Sequence, residues 1–352
     1  MERATEFWMT DAKLQAGAER TAALGLLRGV RPVGLPCFSG LCSVTAAGLA
    51  HSGGRFGSVH TDAAKLAAAA ATSRNVFGFA SVSVPLDLCV EAEALGARVD
   101  FCADADPPQY PRVPQFPLAK LSELQIDPRP AAELGRVSVV AQAIRLLVQS
   151  AGQQALVGAW VPGPFTLALY LVDGEALLNQ IVEEPAAVSA SLLQLADFIA
   201  RVARVYLDAG ADFITVHEMG GSPGYVGLRT FRRVVQAPLQ HLLQALPAPR
   251  VLSMCGKLDA ALGLLAGLAA EAINIDHLTD AAAARAALAP GQLLFGNIDP
   301  EGVLALGTPA QVRAAVVAAA AHVDAIWPGC DLDLRAPDAN LLAMVAAARS
   351  AR

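Results

Sequence analysis

The 352-residue chain is poor in charge and in aromatic rings: 16% of its residues are charged and 5% are Phe, Trp or Tyr. Its net charge of -6 is spread as interspersed signs, with no basic stripe and no basic-aromatic interleaving. That pattern argues against a nucleic-acid surface. The N-terminus, "MERATEFWMTDAKLQ", lacks the apolar stretch of a signal peptide, so a cytoplasmic location is expected. The six cysteines (Cys37, Cys42, Cys89, Cys102, Cys255 and Cys330) contain no CxxC pair. Without a secretion signal, free thiols in a reducing compartment are the default. No G-x-G-x-x-G follows the first strand-like run, which weakens a dinucleotide-binding fold. Long hydrophobic runs are almost missing too. The uncharged stretch 155–172 approaches the length of a membrane span. Its Pro162-Gly163-Pro164 breaks a helix, so it reads as strand, turn and helix start, and no membrane contact is expected.

What the chain has in quantity is core material, 54% hydrophobic and rich in alanine. Short β-like runs occur at 33–38, 76–84, 155–161, 211–218, 251–256, 272–277, 293–299 and 324–330. Helical stretches at 62–75, 131–150, 185–209, 228–246, 258–269, 280–289 and 309–322 separate them, the last opening on Thr308 as N-cap with Pro309 at the first helical position. Eight strands alternating with helices predict an α/β fold, a (β/α)8 TIM barrel with an N-terminal helical extension, as one domain over 1–352. An open doubly wound sheet is the rival. The proline-rich piece 105–117 reads as a surface excursion.

Chemistry-bearing residues gather at one end of these runs: His217-Glu218, Cys255-Gly256, Asp276-His277, Asn297 to Asp299, and Cys330-Asp331. In a barrel the C-terminal strand ends share one mouth, where active sites sit. Cys255 therefore points to Cys330 as a partner. A strand cysteine alone is more often a small buried hydrophobe, the reading given to Cys37, Cys42, Cys89 and Cys102. Asp87 and Asp299 could simply cap helices, and Asp276 has the same ambiguity. Gly163-Pro164-Phe165-Thr166 forms a turn opening a helix N-terminus, suited to an anion or a cofactor, although a plain turn explains it equally well.

Several stretches together resemble the uroporphyrinogen decarboxylase superfamily: "HTDAAKLAAAA" (60–70), "VPLDLCVEAEALGARVD" (84–100), "GPFTLALYLV" (163–172), "CG" (255–256), "LLFGNIDPEGVLALGTPAQV" (293–312) and "PGCDLDLRAPDANLLAMV" (328–345). Within it the chain resembles the zinc-dependent methylcorrinoid:thiol methyltransferases, such as those that methylate coenzyme M. The decarboxylase branch carries arginines for its polycarboxylate substrate where this chain has "LPCFSGLCSV" (35–44), which has no basic residue. The resemblance implies Zn2+ held by Cys255 and Cys330, with methylcobalamin or another methylcorrinoid as methyl donor. No D-x-H-x-x-G corrinoid fingerprint occurs, so the corrinoid is expected on a partner protein, and a small-molecule thiol or similar acceptor takes the methyl group. In that branch a His-x-Cys closes the fifth strand; here the triplet is Ser253-Met254-Cys255, so the family histidine is a serine. A replacement metal ligand is expected from the end of the fourth run, Glu218 by family register and His217 second, with His277 and Cys42 as further candidates. Glu218, Asn297 and Asp276 are the candidate catalytic residues. A decarboxylase-type lyase and a non-catalytic corrinoid- or partner-binding protein are the alternatives.

Overall fold

The computed structural model describes residue 15 and residues 17–41, 44–51 and 53–351. Seven strands form one parallel sheet in chain order: β1 (Ser81–Val84), β2 (Leu156–Pro162), β3 (Phe213–His217), β4 (Arg250–Met254), β5 (Ala272–Ile275), β6 (Leu293–Ile298) and β7 (Ala325–Pro328). Nearly every strand residue is buried. That is the mark of a parallel sheet covered by helices on its outer face and filled on its inner one.

Seven of the eight expected strands are present; the first is not. Its run at 33–38 contributes a single bridge, Cys37 with Ile326 of β7. Phe38 N–H donates to the Ile326 carbonyl, Ile326 N–H to the Pro36 carbonyl, and Ala80 N–H to the Cys37 carbonyl. The segment thus lies between β7 and the approach to β1. Pro36 cannot donate to a ladder, and Gly34 departs from extended backbone at φ 93°, so the pairing stays one residue long.

Helices lie between the strands close to where the 3.6-residue pattern puts them. Ala63–Asn75 is capped by the Asp62 carboxylate, which accepts from Ala64 and Lys65 N–H. It packs on Val137–Ser150 through small buried side chains such as Ala67, Ala70 and Ala71. Pro309–Ala320 has the expected Thr308 cap, completed by Gln311 as a capping box. The helix expected at 228–246 is interrupted, running as Pro223–Thr230, a π-turn over Phe231–Val235 and Gln236–Ala245. The expected helix at 258–269 shrinks to short turns, Asp259–Ala261 and Leu262–Leu265. The uncharged stretch at 155–172 resolves into β2 and the helix Pro164–Leu171. Among the described residues one helix, Pro185–Asp208, is long and apolar enough to cross a membrane, and half of its apolar window is buried inside the molecule, where it packs on β2 and β3.

Five of the aromatics, Phe38, Trp160, Phe213, Phe295 and Trp327, pack together inside the curled sheet. Trp327 stacks on Phe38 at 5.3 Å and on Phe295 at 5.4 Å, with Trp160 edge-on at 6.0 Å. Such ring pairs add about 0.5–1.5 kcal/mol each beyond their burial. This plug fills the interior, with Trp160 reaching from it to the ring of His217.

Candidate metal centre

All seven strands run the same way, so their C-terminal ends open on one side. β3 ends there at His217, which pairs in register with Ser253 of β4 and Pro162 of β2. Cys255 follows β4, and Cys330 follows β7 two residues after its last strand position. The tertiary structure draws these three together: their donor atoms all lie within 4.8 Å of one another, and no other group of this kind occurs among the described residues. His217 Nε2 is 4.0 Å from Cys255 Sγ. The two cysteines are joined as a disulfide, with Cα atoms 5.7 Å apart, where free thiols were expected. Asp331 adds a carboxylate whose Oδ1 is 3.6 Å from His217 Nε2.

Burial shapes the charges. It lowers the pKa of His217 against a smaller opposing pull from Asp331, so the imidazole is neutral and its ring nitrogen lone pair is free to donate. Burial likewise pushes the Asp331 carboxyl up, with His217 opposing.

The turn that presents Cys255 is held from two sides. Gly256 takes φ 89°, a left-handed conformation that an L side chain would strain. Its N–H donates to Asp276 Oδ2 at 2.7 Å. Ser222 caps the helix Pro223–Thr230 and donates its hydroxyl to the Cys255 carbonyl. Gly224 lets that helix start approach closely, since a Cβ there would lie 2.8 Å from the Lys257 nitrogen.

The order of ligands expected from the sequence is reversed: His217, not Glu218, faces the sulfurs. Adjacent strand residues point to opposite sides, and Glu218 turns to the helix Pro164–Leu171. Its carboxylate accepts from Phe165 N–H at 3.1 Å, Thr166 N–H at 2.9 Å, the Thr166 hydroxyl and Gly221 N–H at 3.0 Å. Residues 163–166, expected to receive an anion or a cofactor, therefore hold a carboxyl of the chain itself at that helix N-terminus; burial pushes its pKa up, and the hydrogen bonds from Thr166, Gly221 and Phe165 oppose that shift.

Asp276 and Asn297 shape turns beside the cysteine. Asp276 accepts from Gly256 and Leu278 N–H and pairs with His277 Nδ1 at 2.7 Å. Asn297 donates to the Thr279 carbonyl at 3.1 Å. Asp299 is an N-cap, accepting from Glu301 and Gly302 N–H. Cys37, Cys89 and Cys102 are free thiols, the first two buried; Cys42 lies outside the described residues. Sequence reasoning passed over Asp331 as a donor, although its place next to Cys330 was a usable signal.

The donor set suits a borderline-soft ion such as zinc, which takes sulfur and imidazole nitrogen together. At tetrahedral angles, bonds of about 2.0–2.3 Å put nitrogen and sulfur ~3.6 Å apart, close to the separation of His217 and Cys255. Reduction of the disulfide would free two thiols beside His217.

Sequence comparison places the chain. The profile of the uroporphyrinogen decarboxylase (URO-D) family matches residues 23–351. The chain belongs to that family. Among its relatives, the methylcobamide:CoM methyltransferase MtbA of Methanosarcina mazei is 28% identical over 305 residues, covering 86% of this chain and 88% of the relative. The methylcobamide:CoM methyltransferase MtaA of Methanosarcina barkeri is 26% identical, covering 87% and 91%. A uroporphyrinogen decarboxylase of Mycolicibacterium smegmatis is 30% identical over a shorter part, 62% of this chain and 63% of that one. In three dimensions, a solved methyltransferase from Methanosarcina mazei superposes with a TM-score of 0.89 at 23% identity, covering 94% and 98% of the two chains. That likeness establishes the α/β fold of the family, a curled parallel sheet wrapped by helices.

Proposed function

We propose that this member of the URO-D family is a zinc-dependent methyltransferase that moves a methyl group from a methylcorrinoid, carried by a separate corrinoid protein, to a thiol. The chain is read as a single domain built on an eight-stranded barrel plan, with residues 36–38 standing in for the missing strand. The observation that carries the reading is the position of His217. Its strand partner in register is Ser253, the residue standing where the family resemblance calls for a histidine. An imidazole lost from β4 is thus supplied one strand away, facing the same cysteine. The methylcobamide:CoM methyltransferases among the relatives support the reaction class.

Cys255, Cys330 and His217 would hold the ion, and zinc there would keep a substrate thiol as its thiolate, the nucleophile for the methyl group. The residues set the charge at this point. Two thiolates offset the two charges of the ion and the neutral imidazole adds none. The indole of Trp160 packs edge-on to His217 at 5.5 Å and limits its movement. Tyr225, exposed and close to Gly256, marks the open side from which a substrate arrives.

The test is a ligand swap. His217→Ala should lose zinc from the reduced protein, measured by competition with a chromogenic chelator. His217→Ala combined with Ser253→His should regain part of the affinity by restoring the family arrangement. Methyl transfer from free methylcobalamin to 2-mercaptoethanesulfonate should follow the same order. If His217→Ala binds zinc as wild type does, the site is not the one described.

A further inference from the structure

Three donors leave a tetrahedral zinc site one short, and the structure holds a fourth group at the right place. We propose that Asp331 is the fourth, exchangeable donor of the His217–Cys255–Cys330 site, the one an incoming thiol displaces. This rests on the metal reading above and adds to it the resting state of the site and the route of exchange.

Three observations converge. First, Asp331 Oδ1 is buried yet has no hydrogen-bond partner. A shielded carboxylate oxygen left unpaired is costly, and a native structure rarely keeps one without a use. Second, the oxygen is 3.6 Å from His217 Nε2. That is too long for a hydrogen bond, but close to the ~3.4 Å expected of nitrogen and oxygen sharing one zinc at tetrahedral angles. Third, the donors differ in access. The His217 side chain is 1% exposed and that of Asp331 31%, while Cys255 is buried and Cys330 half-buried, so Asp331 and Cys330 form the accessible side of the group and His217 and Cys255 its buried side. An exchanging ligand must be there, because the entering thiol comes from solvent.

The exchange is balanced in charge. A carboxylate leaves and a thiolate enters, the thiol proton going to solvent, and the sum at the site is unchanged. The buried donors need not move. A carboxylate is also a weaker partner than a thiolate for a borderline-soft ion, so the resting site gives way to substrate without giving way to water.

Cobalt(II) in place of zinc makes the coordination visible. The full-length protein, kept reduced with a phosphine, is loaded with cobalt(II); the visible bands report coordination number, and the near-ultraviolet thiolate bands scale with the number of sulfurs. For wild type, the expected result is a four-coordinate spectrum without added thiol, and a rise in thiolate intensity of about one half when 2-mercaptoethanol takes the third sulfur position. Asp331→Asn and Asp331→Ala should bind cobalt and zinc about tenfold or more weakly and change the visible bands in the absence of thiol. With saturating thiol, both should return to the wild-type spectrum. Because Asp331 is partly exposed and Asn has its shape, the Asn variant separates ligation from folding. If Asp331→Asn leaves the thiol-free spectrum and the affinity as in wild type, Asp331 is not a ligand, while the three-donor site stands. If reduced wild type takes up no cobalt, or Cys255→Ser leaves its spectrum unchanged, the metal reading fails and this proposal falls with it.

Discussion

Two buried polar clusters stand at the C-terminal ends of strands, and they are built on opposite principles. Beyond β1, Arg136 makes a two-pronged contact with Asp87 at 3.0 Å for each nitrogen, donates to Glu93, and reaches the His60 carbonyl at 3.3 Å. His60 Nδ1 lies 2.9 Å from the same Asp87, and His60 Nε2 is buried without a hydrogen-bond partner. Beyond β3, β4 and β7, His217, Cys255, Cys330 and Asp331 face one another at distances of 3.6 to 4.0 Å for the nitrogen contacts, and His217 Nδ1 and Asp331 Oδ1 have no hydrogen-bond partner. In the first cluster positive charge is already present as a guanidinium. Burial alone would raise the pKa of Asp87, yet Arg136 and His60 hold its carboxyl well below the usual range. In the second cluster His217, Cys255 and Cys330 are grouped electron-pair donors, the two cysteines joined as a disulfide, with the Asp331 carboxyl beside them.

The comparison breaks most visibly at Arg136. Arg136→Ala strands the Asp87 charge in the interior and should cost about 3–5 kcal/mol in urea unfolding, whereas reduced protein that remains folded should bind zinc with unchanged stoichiometry. Cys255→Ser should do the reverse: under reducing conditions zinc affinity falls by more than about 100-fold, or ~2.7 kcal/mol, with little change in the unfolding of the metal-free form. Glu218→Gln sharpens the boundary between the two. It weakens charge-assisted bonds at the helix Pro164–Leu171 and should cost roughly 2 kcal/mol of stability, while zinc affinity stays at the wild-type level. Per pH unit, the smallest effect lies at Glu91, buried beside Tyr206, whose carboxyl is pushed up from 4.5 to about 8, chiefly by burial. Between those values the folded state holds a proton that the unfolded state has lost. Stability therefore falls as pH rises from 4.5 to about 8, by at most about 1.4 kcal/mol per pH unit. Glu91→Gln should flatten that slope in denaturation curves measured across the range. Asp87, with its lowered pKa, has the opposite sign, its contribution fading only as pH falls.

Much of this was legible in the residues. The strand runs ending at His217, Cys255, Asp276 and Cys330 were visible as apolar stretches that stop on polar groups, because a buried parallel strand must be apolar and its end must reach solvent. The Thr308 cap was visible because capping is local chemistry. The run at 33–38 was apolar enough to pass for a strand, but pattern does not register the missing donor of Pro36. The choice between His217 and Glu218 was illegible for another reason. Alternation says that the two point apart; it does not say which way, and the answer depends on a helix start more than fifty residues earlier that offers Glu218 its donors. Asp276 and Asn297 looked like chemistry and serve as turn braces, since a carboxylate beside a strand end reads the same in sequence whether it faces a substrate or a backbone N–H.

The sequence by itself determined the family, the alternation of strands and helices, and the two cysteines in their frame. These are properties of local composition and order, written residue by residue. The tertiary structure decided the rest: that the β3 imidazole stands across from the serine of β4, that the Glu218 carboxyl is spent inside on Phe165 and Thr166, and that the unpaired oxygen of Asp331 meets His217 from the loop after β7, more than one hundred residues away. Register between parallel strands is set by how side chains from several elements fill one interior, here around Trp160 and Trp327, and no single stretch of chain carries that information.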